Sequence, residues 1–116
     1  LMQLSNDHSL VGELMALGEI TPEQALTHPQ RNLITRALGT GKKTEPDIIH
    51  LDFQTDDAWL LCTDGLTNHM RTAEIATVLL TDAPWPAKLQ TLIDTALERG
   101  GRDNITALAV LKEASE

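Results

Sequence analysis

Apolar positions recur along this chain at helical spacing in some stretches and almost continuously in others, and the two patterns set the elements to expect. Across 9–17, Leu10, Leu14 and Leu17 share one face with Val11 beside them, as an amphipathic helix would, and Gly18 is placed to stop it. Thr21-Pro22-Glu23-Gln24 then restarts helical structure, with Thr21 as cap, Pro22 in the first turn and Gln24 completing a capping box. That helix should close near His28, because Pro29 disfavours helical geometry in the residue before it. The stretch 32–38 reads equally as a helical turn or a strand, and Gly39-Thr40-Gly41 breaks it.

Further on, the β-prone run 48–53, the turn pair Asp56-Asp57 and the apolar run 58–63 predict an antiparallel hairpin, since so short a link cannot support a parallel crossover. Thr72 opens a helix with Ile75, Val78 and Leu79 inward. Residues 87–99 form a longer one with Leu89, Leu92, Ile93, Ala96 and Leu97 as its stripe. Trp85, in the loop before it, is expected to anchor that loop on the helix. Gly100-Gly101 ends the helix, 105–111 is the last strand, and 112–116 is a frayed tail. The class is α+β. Three strands cannot complete a sheet system by themselves, their faces need further partners, and 1–6 holds no recognisable first element, so the chain reads as a fragment.

Composition narrows this only modestly. With 116 residues, 41% hydrophobic and 22% charged, the chain has the make-up of one soluble domain at most. One Phe and no Tyr leave the core to aliphatic side chains. A net charge of −8 argues against nucleic acid as a partner and suits either plain solubility or the gathering of cations. No apolar run approaches the roughly 20 residues of a membrane helix, and Leu1-Met2-Gln3 does not begin a signal peptide. The single cysteine, Cys62, rules out an internal disulfide, reads as an inert core thiol, and suits a cytoplasmic location.

Candidate chemistry centres on two aspartates. Asp64 ends the run Trp59-Leu60-Leu61-Cys62-Thr63 and precedes Gly65; Asp103 follows Gly100-Gly101-Arg102 and precedes Asn104-Ile105. Either alone is an ordinary turn residue. Together, each within two residues of a glycine and next to a strongly apolar strand, they predict a buried, oxygen-rich corner of the kind that holds Mg²⁺ or Mn²⁺. His8, His28, His50 and His69 have no zinc spacing, and no nucleophile elbow or phosphate-binding glycine loop occurs. His8 beside Asp7 suggests an orienting pair, with capping by Asp7 the plainer reading; His28 reads as surface decoration or a group facing substrate. Arg31, Arg36, Lys42 and Lys43 form the one basic concentration, readable as a solvated loop or as a seat for phosphate.

Six ordered motifs then carry a resemblance: Asp7-His8-Ser9-Leu10-Val11, Gly18-Glu19-Ile20-Thr21-Pro22-Glu23-Gln24-Ala25, His28-Pro29-Gln30-Arg31-Asn32, Ile34-Thr35-Arg36-Ala37-Leu38-Gly39, Leu60-Leu61-Cys62-Thr63-Asp64-Gly65-Leu66-Thr67 and Gly100-Gly101-Arg102-Asp103-Asn104-Ile105-Thr106. From Asp7 to Val110 the chain resembles the C-terminal half of bacterial metal-dependent serine/threonine phosphatases, the protein phosphatase 2C (PPM) family. The resemblance implies a partial four-layer α-β-β-α sandwich with mainly antiparallel strands, 1–116 forming the C-terminal part of one domain whose N-terminal half is absent. It implies hydrolysis of phosphoserine and phosphothreonine in proteins by a water activated with two or more Mn²⁺ or Mg²⁺ ions. Asp64 and Asp103 match the family's metal ligands, Asp7 and Asn104 its supporting hydrogen-bonding shell, and 12–32 its mobile flap. Phosphorylated proteins, and a serine/threonine kinase, are the partners it implies.

The family's N-terminal motifs, Asp-Gly-x-Gly-Gly with a metal-bridging aspartate and Gly-Asp-Ser-Arg, do not occur here, nor does its phosphate-holding arginine. The expectations that follow are little activity for this chain alone and self-association to cover exposed sheet. The alternative in another class is a non-catalytic phosphatase-like interaction module. A divalent-cation sensor is weaker, because no Ca²⁺-loop pattern of acids is present.

Overall fold

The computed structural model describes residues 1–114; Ser115 and Glu116, the end of the expected tail, lie outside them. Five helices and one antiparallel two-stranded sheet make up the described residues, the α+β class expected. They divide into two compact units, Met2–His50 and the chain from Leu51 onward.

The first unit holds α1 (Leu10–Ala16) and α2 (Pro22–Thr27). Ser9 caps α1, its Oγ accepting from Gly12 N at 3.0 Å. Gly18, at φ 75°, ends it: Gly18 N donates to Met15 O and Glu19 N to Leu14 O, the paired closure that a left-handed glycine permits. The capping box of α2 forms as its residues predict, Gln24 N donating to Thr21 Oγ1 at 3.1 Å and Thr21 N to Gln24 Oε1 at 2.8 Å. Its cap residue His28 is extended, as Pro29 requires. Residues 32–38 are neither helix nor strand but carry a single antiparallel bridge, Ser9 with Ile34. Val11 and Ala25 are buried, whereas Leu17 lies exposed beyond the helix end instead of on its apolar face.

The second unit holds β1 (Ala58–Cys62), α3 (Asp64–Thr67), α4 (Thr72–Leu79), α5 (Trp85–Glu98) and β2 (Ala107–Leu111). The expected hairpin between 48–53 and 58–63 does not form. Asp57 N donates to Gln54 O and Asp56 adopts φ 73°, so the turn exists, but β1 pairs with β2 in the register Ala58↔Leu111 to Cys62↔Ala107. The distant partner wins because it carries Leu60 onto the core of Leu66, Met70, Ile75, Leu92 and Ala96, while Ile48, Ile49 and Leu51 stay exposed. Cys62, expected in the core, is exposed at the end of β1. Leu97 likewise faces out, and Trp85 belongs to the first turn of α5 instead of the loop before it, with the Lys88 ammonium 4.4 Å from its ring centre.

Lys88 is buried and donates to Leu79 O at 2.7 Å, closing the C-terminal end of α4. Glu74 joins the two helices from the other end, pairing with Arg99 and accepting from Arg71 N at 3.1 Å. The Arg99 hydrogen bond first, then the Arg71 amide, lower the Glu74 carboxyl from 4.5 to about 2. A lowered carboxyl stabilises the fold fully above its unfolded value and loses that contribution as pH falls towards the folded one. Stability should therefore decline between pH 4.5 and about 2, and Glu74→Gln should flatten that part of the curve. Urea midpoints taken from pH 6 downward check this; an unchanged slope in the variant counts against it.

Candidate functional site

The two candidate aspartates come to one end of the β ribbon. Beyond the last ladder pair, Cys62↔Ala107, Thr63 N donates to Thr106 O at 3.0 Å. The Thr63 hydroxyl continues the seam, donating to Asn104 O at 3.2 Å and accepting from Thr106 N at 3.1 Å. Gly65 is buried so tightly on the same segment that a Cβ there would lie 2.2 Å from Asn104 O. Asp64 sits between Thr63 and Gly65, and Asp103 immediately precedes Asn104, so residues 39 positions apart in sequence (103 − 64) flank one seam.

Local structure orients each acid. Asp64 is the first residue of α3, and Asn68 N donates to its carbonyl at 2.8 Å. The Gly100-Gly101 closure of α5, with Gly100 at φ 129°, turns the chain toward Asp103, whose Oδ1 accepts from Asn104 N at 2.7 Å. The corner is not buried, contrary to the sequence expectation: Asp64, Asp103 and Asn104 are all exposed. The apolar strands stop short of it, and the turn residues carry the acids out to solvent. Hard carboxylate oxygens suit Mg²⁺ or Mn²⁺ in kind. In number they fall short, since among the described residues no group of three or more His, Cys, Asp or Glu is placed to hold a metal ion.

Thr63 was not singled out from sequence, and Gly65 only as the neighbour of Asp64, yet both form the seam. The available signal was their position either side of Asp64, where a hydroxyl and a missing Cβ are what a close backbone approach needs.

In the first unit, Asp7 Oδ1 accepts from Gln3 Nε2 at 3.3 Å. His8 pairs not with Asp7 but with Asp47, Nε2 to Oδ2 at 3.0 Å, and Arg36 Nη1 binds the other oxygen of Asp47 at 2.9 Å. The Arg36 hydrogen bond holds the Asp47 carboxyl below the usual carboxylate range. Arg36 also donates to Glu45 O at 2.8 Å, so this member of the basic concentration is committed within its own unit. His28 Nδ1 accepts from Gln30 N at 3.0 Å, folding the ring onto its own turn. No helix among the described residues is long and apolar enough to cross a membrane.

Comparison with known proteins gives consistent neighbours. The serine/threonine phosphatase stp of Listeria monocytogenes is 43% identical over 116 residues, covering 100% of this chain and 46% of the relative. The crystal structure of serine/threonine phosphatase Stp1 from Staphylococcus aureus superposes with a TM-score of 0.87 at 38% identity, over 97% of this chain and 44% of that one. The catalytic domain of the serine/threonine protein phosphatase PstP, solved in complex with two manganese ions, matches with a TM-score of 0.77 at 36% identity, over 92% and 43%. The chain thus spans about half the length of the curated relatives it matches. No protein-family model matches it.

Proposed function

We propose that this chain, which is similar over nearly its whole length to bacterial serine/threonine phosphatases of the protein phosphatase 2C type, is the C-terminal half of a cytoplasmic domain that hydrolyses phosphoserine and phosphothreonine in proteins with Mn²⁺ or Mg²⁺. The observation that supports this reading is the seam of Thr63 and Gly65 against Asn104 and Thr106, which joins the two segments that carry Asp64 and Asp103.

Asp64 and Asp103 would hold the cations. Such ions, when bound, neutralise charge on phosphoryl oxygens and bring a water's pKa within reach of neutral pH. The chain's own contribution is positional. Thr63 and Gly65 fix the approach of the two acid-bearing segments, and the Asn104 amide holds one oxygen of Asp103. The Asn104 side chain and Asp7 are assigned supporting hydrogen bonds, and 12–32 a flap beside the substrate. Phosphorylated proteins are the substrates, and a serine/threonine kinase that writes the same marks is the partner this reading calls for.

Two carboxylates leave most of the six or so oxygen positions of such a cation to other donors. The chain alone should therefore turn over little or no phosphopeptide, and the missing donors should come from the portion of the relatives that precedes the match. A chimera joining that portion of the Listeria relative to this chain, assayed with Mn²⁺ and a phosphothreonine peptide, tests the proposal. Turnover in the chimera and its near absence in the chain alone are expected. A folded chimera that neither binds Mn²⁺ nor hydrolyses the peptide would instead identify an interaction module.

A further inference from the structure

Three of the described helices, α1, α2 and α3, start behind a Ser or Thr, and the three hydroxyls are not used alike. Ser9 and Thr21 cap their own helices, accepting from Gly12 N at 3.0 Å and Gln24 N at 3.1 Å. Thr63 stands at the same place before α3 with the same extended backbone, φ −85° and ψ 165°, yet makes no side-chain cap. Its hydroxyl crosses instead to residues 41 and 43 positions on, donating to Asn104 O and accepting from Thr106 N. A four-residue helix is marginal by itself, so leaving its cap unfilled works against the element that carries Asp64. Strand pairing does not explain the diversion. The ladder already runs from Ala58↔Leu111 to Cys62↔Ala107, and Thr63 N extends it to Thr106 O with a backbone bond that needs no hydroxyl. What the hydroxyl adds lies beyond the ladder: it ties Asn104, the residue after Asp103, to the residue before Asp64.

We propose that Thr63 is a positioning residue: its hydroxyl locks the segment bearing Asp103 to the start of α3, so that one divalent cation meets both Asp64 and Asp103. That role rests on reading the two acids as cation ligands, and it depends neither on turnover nor on an exposed surface. The position calls for a group that donates and accepts at once. A serine hydroxyl does both, whereas valine, with the outline of threonine, does neither. Gly65 and Thr63 act as a pair in this. The missing Cβ at Gly65 gives Asn104 O room to approach, and the Thr63 hydroxyl supplies the bond that keeps it there.

The test follows the amide NMR signals of Asp64 and Asp103 in the full 116-residue chain while Mg²⁺ alone is added. One ion gripped by both acids gives the two signals a single shared midpoint. In Thr63→Val that midpoint should rise by about tenfold or more, the usual loss when a group that orients a metal ligand is removed. Thr63→Ser should bring it back, because the hydroxyl returns. Thr91→Val deletes a hydroxyl bond to Ala87 O within α5 and should keep the shared midpoint. Cross-strand proton contacts between Leu60 and Ala109 check that the ladder is intact in each variant. Four results overturn the proposal: no shared response in the parent chain, a midpoint unchanged in Thr63→Val, a Thr63→Ser as weak as Thr63→Val, or loss of the ladder in Thr63→Val, which would make the hydroxyl a fold element only. A shared midpoint that Thr63→Val leaves unchanged removes Thr63 and keeps the acids as ligands. A Thr63-dependent midpoint in the chain, with a chimera that hydrolyses nothing, keeps Thr63 and removes the catalytic reading.

Discussion

Asp64→Asn in the chimera is expected to lower kcat/KM by about three orders of magnitude, with Asp103→Asn close behind. The size follows from the role. Electrostatic stabilisation of a phosphoryl group by a held cation contributes several kcal/mol, and about 1.4 kcal/mol is a factor of ten. Exchanging a carboxylate for an amide keeps shape and an oxygen while removing the charge that would hold the ion in the proposed role. Asn104→Ala and Asp7→Ala, assigned supporting roles, should cost only about 10- to 100-fold. The two classes separate further in a Mn²⁺ titration. Loss of a ligand moves the half-saturating concentration upward, so part of the deficit returns at high Mn²⁺. A decrease below about tenfold in Asp64→Asn, with no change in Mn²⁺ dependence, would place Asp64 outside the metal site. Because Asp64 is exposed at the start of α3, the variant's stability should stay within about 1 kcal/mol of the parent's.

How far the sequence foretold this structure depends on the range of the interactions involved. The α2 capping box, the extended His28 before Pro29 and the glycine closures after α1 and α5 are fixed by neighbours within a few residues, and each forms as its residues predict. Strand pairing is decided at long range. The run 48–53 has adequate β propensity and a turn after it, but nothing in those residues reveals that β1 gains more by pairing with β2, 49 positions on from Ala58 at its first residue (107 − 58). Burial shows the same division. Leu92 and Ala96, on the inner line of α5, are fully buried, while Leu97 at the edge of the same stripe is exposed, because the width of the covered face is set by what α5 packs against. At the candidate site, the two acids were picked out by nearby glycines and flanking apolar strands, and their metal-binding role stays a proposal. Their solvent exposure and the Thr63 seam were not legible, since both depend on where the ladder stops.

Gly65→Ala tests that seam, and two effects of opposite sign meet there. Gly65 lies within α3 at a negative φ, where alanine is the better helix former and restricts the unfolded chain, together worth about 1 kcal/mol of stabilisation. Against this, the added methyl would sit 2.2 Å from Asn104 O, 3.0 Å from Asn104 C and 3.1 Å from Ile105 Cγ1. The first two are backbone atoms, which cannot rotate aside as a side-chain end can. Relieving the overlap requires the segments bearing Asp64 and Asp103 to separate, breaking the Thr63 hydrogen bonds to Asn104 and Thr106. Overpacking of this kind costs roughly 1–3 kcal/mol, and lost hydrogen bonds add about 1 kcal/mol each. The clash therefore wins, with a net destabilisation of about 2–4 kcal/mol in urea unfolding. Gly41→Ala is the matched control: no atom lies within 4 Å of its added methyl and its φ is not positive, so it should gain up to about 1 kcal/mol. Separation of the acids also predicts that Gly65→Ala weakens Mn²⁺ binding in the chimera even at temperatures where the protein remains folded. Stability and Mn²⁺ affinity both unchanged in Gly65→Ala would mean that the two acid-bearing segments do not meet at this glycine.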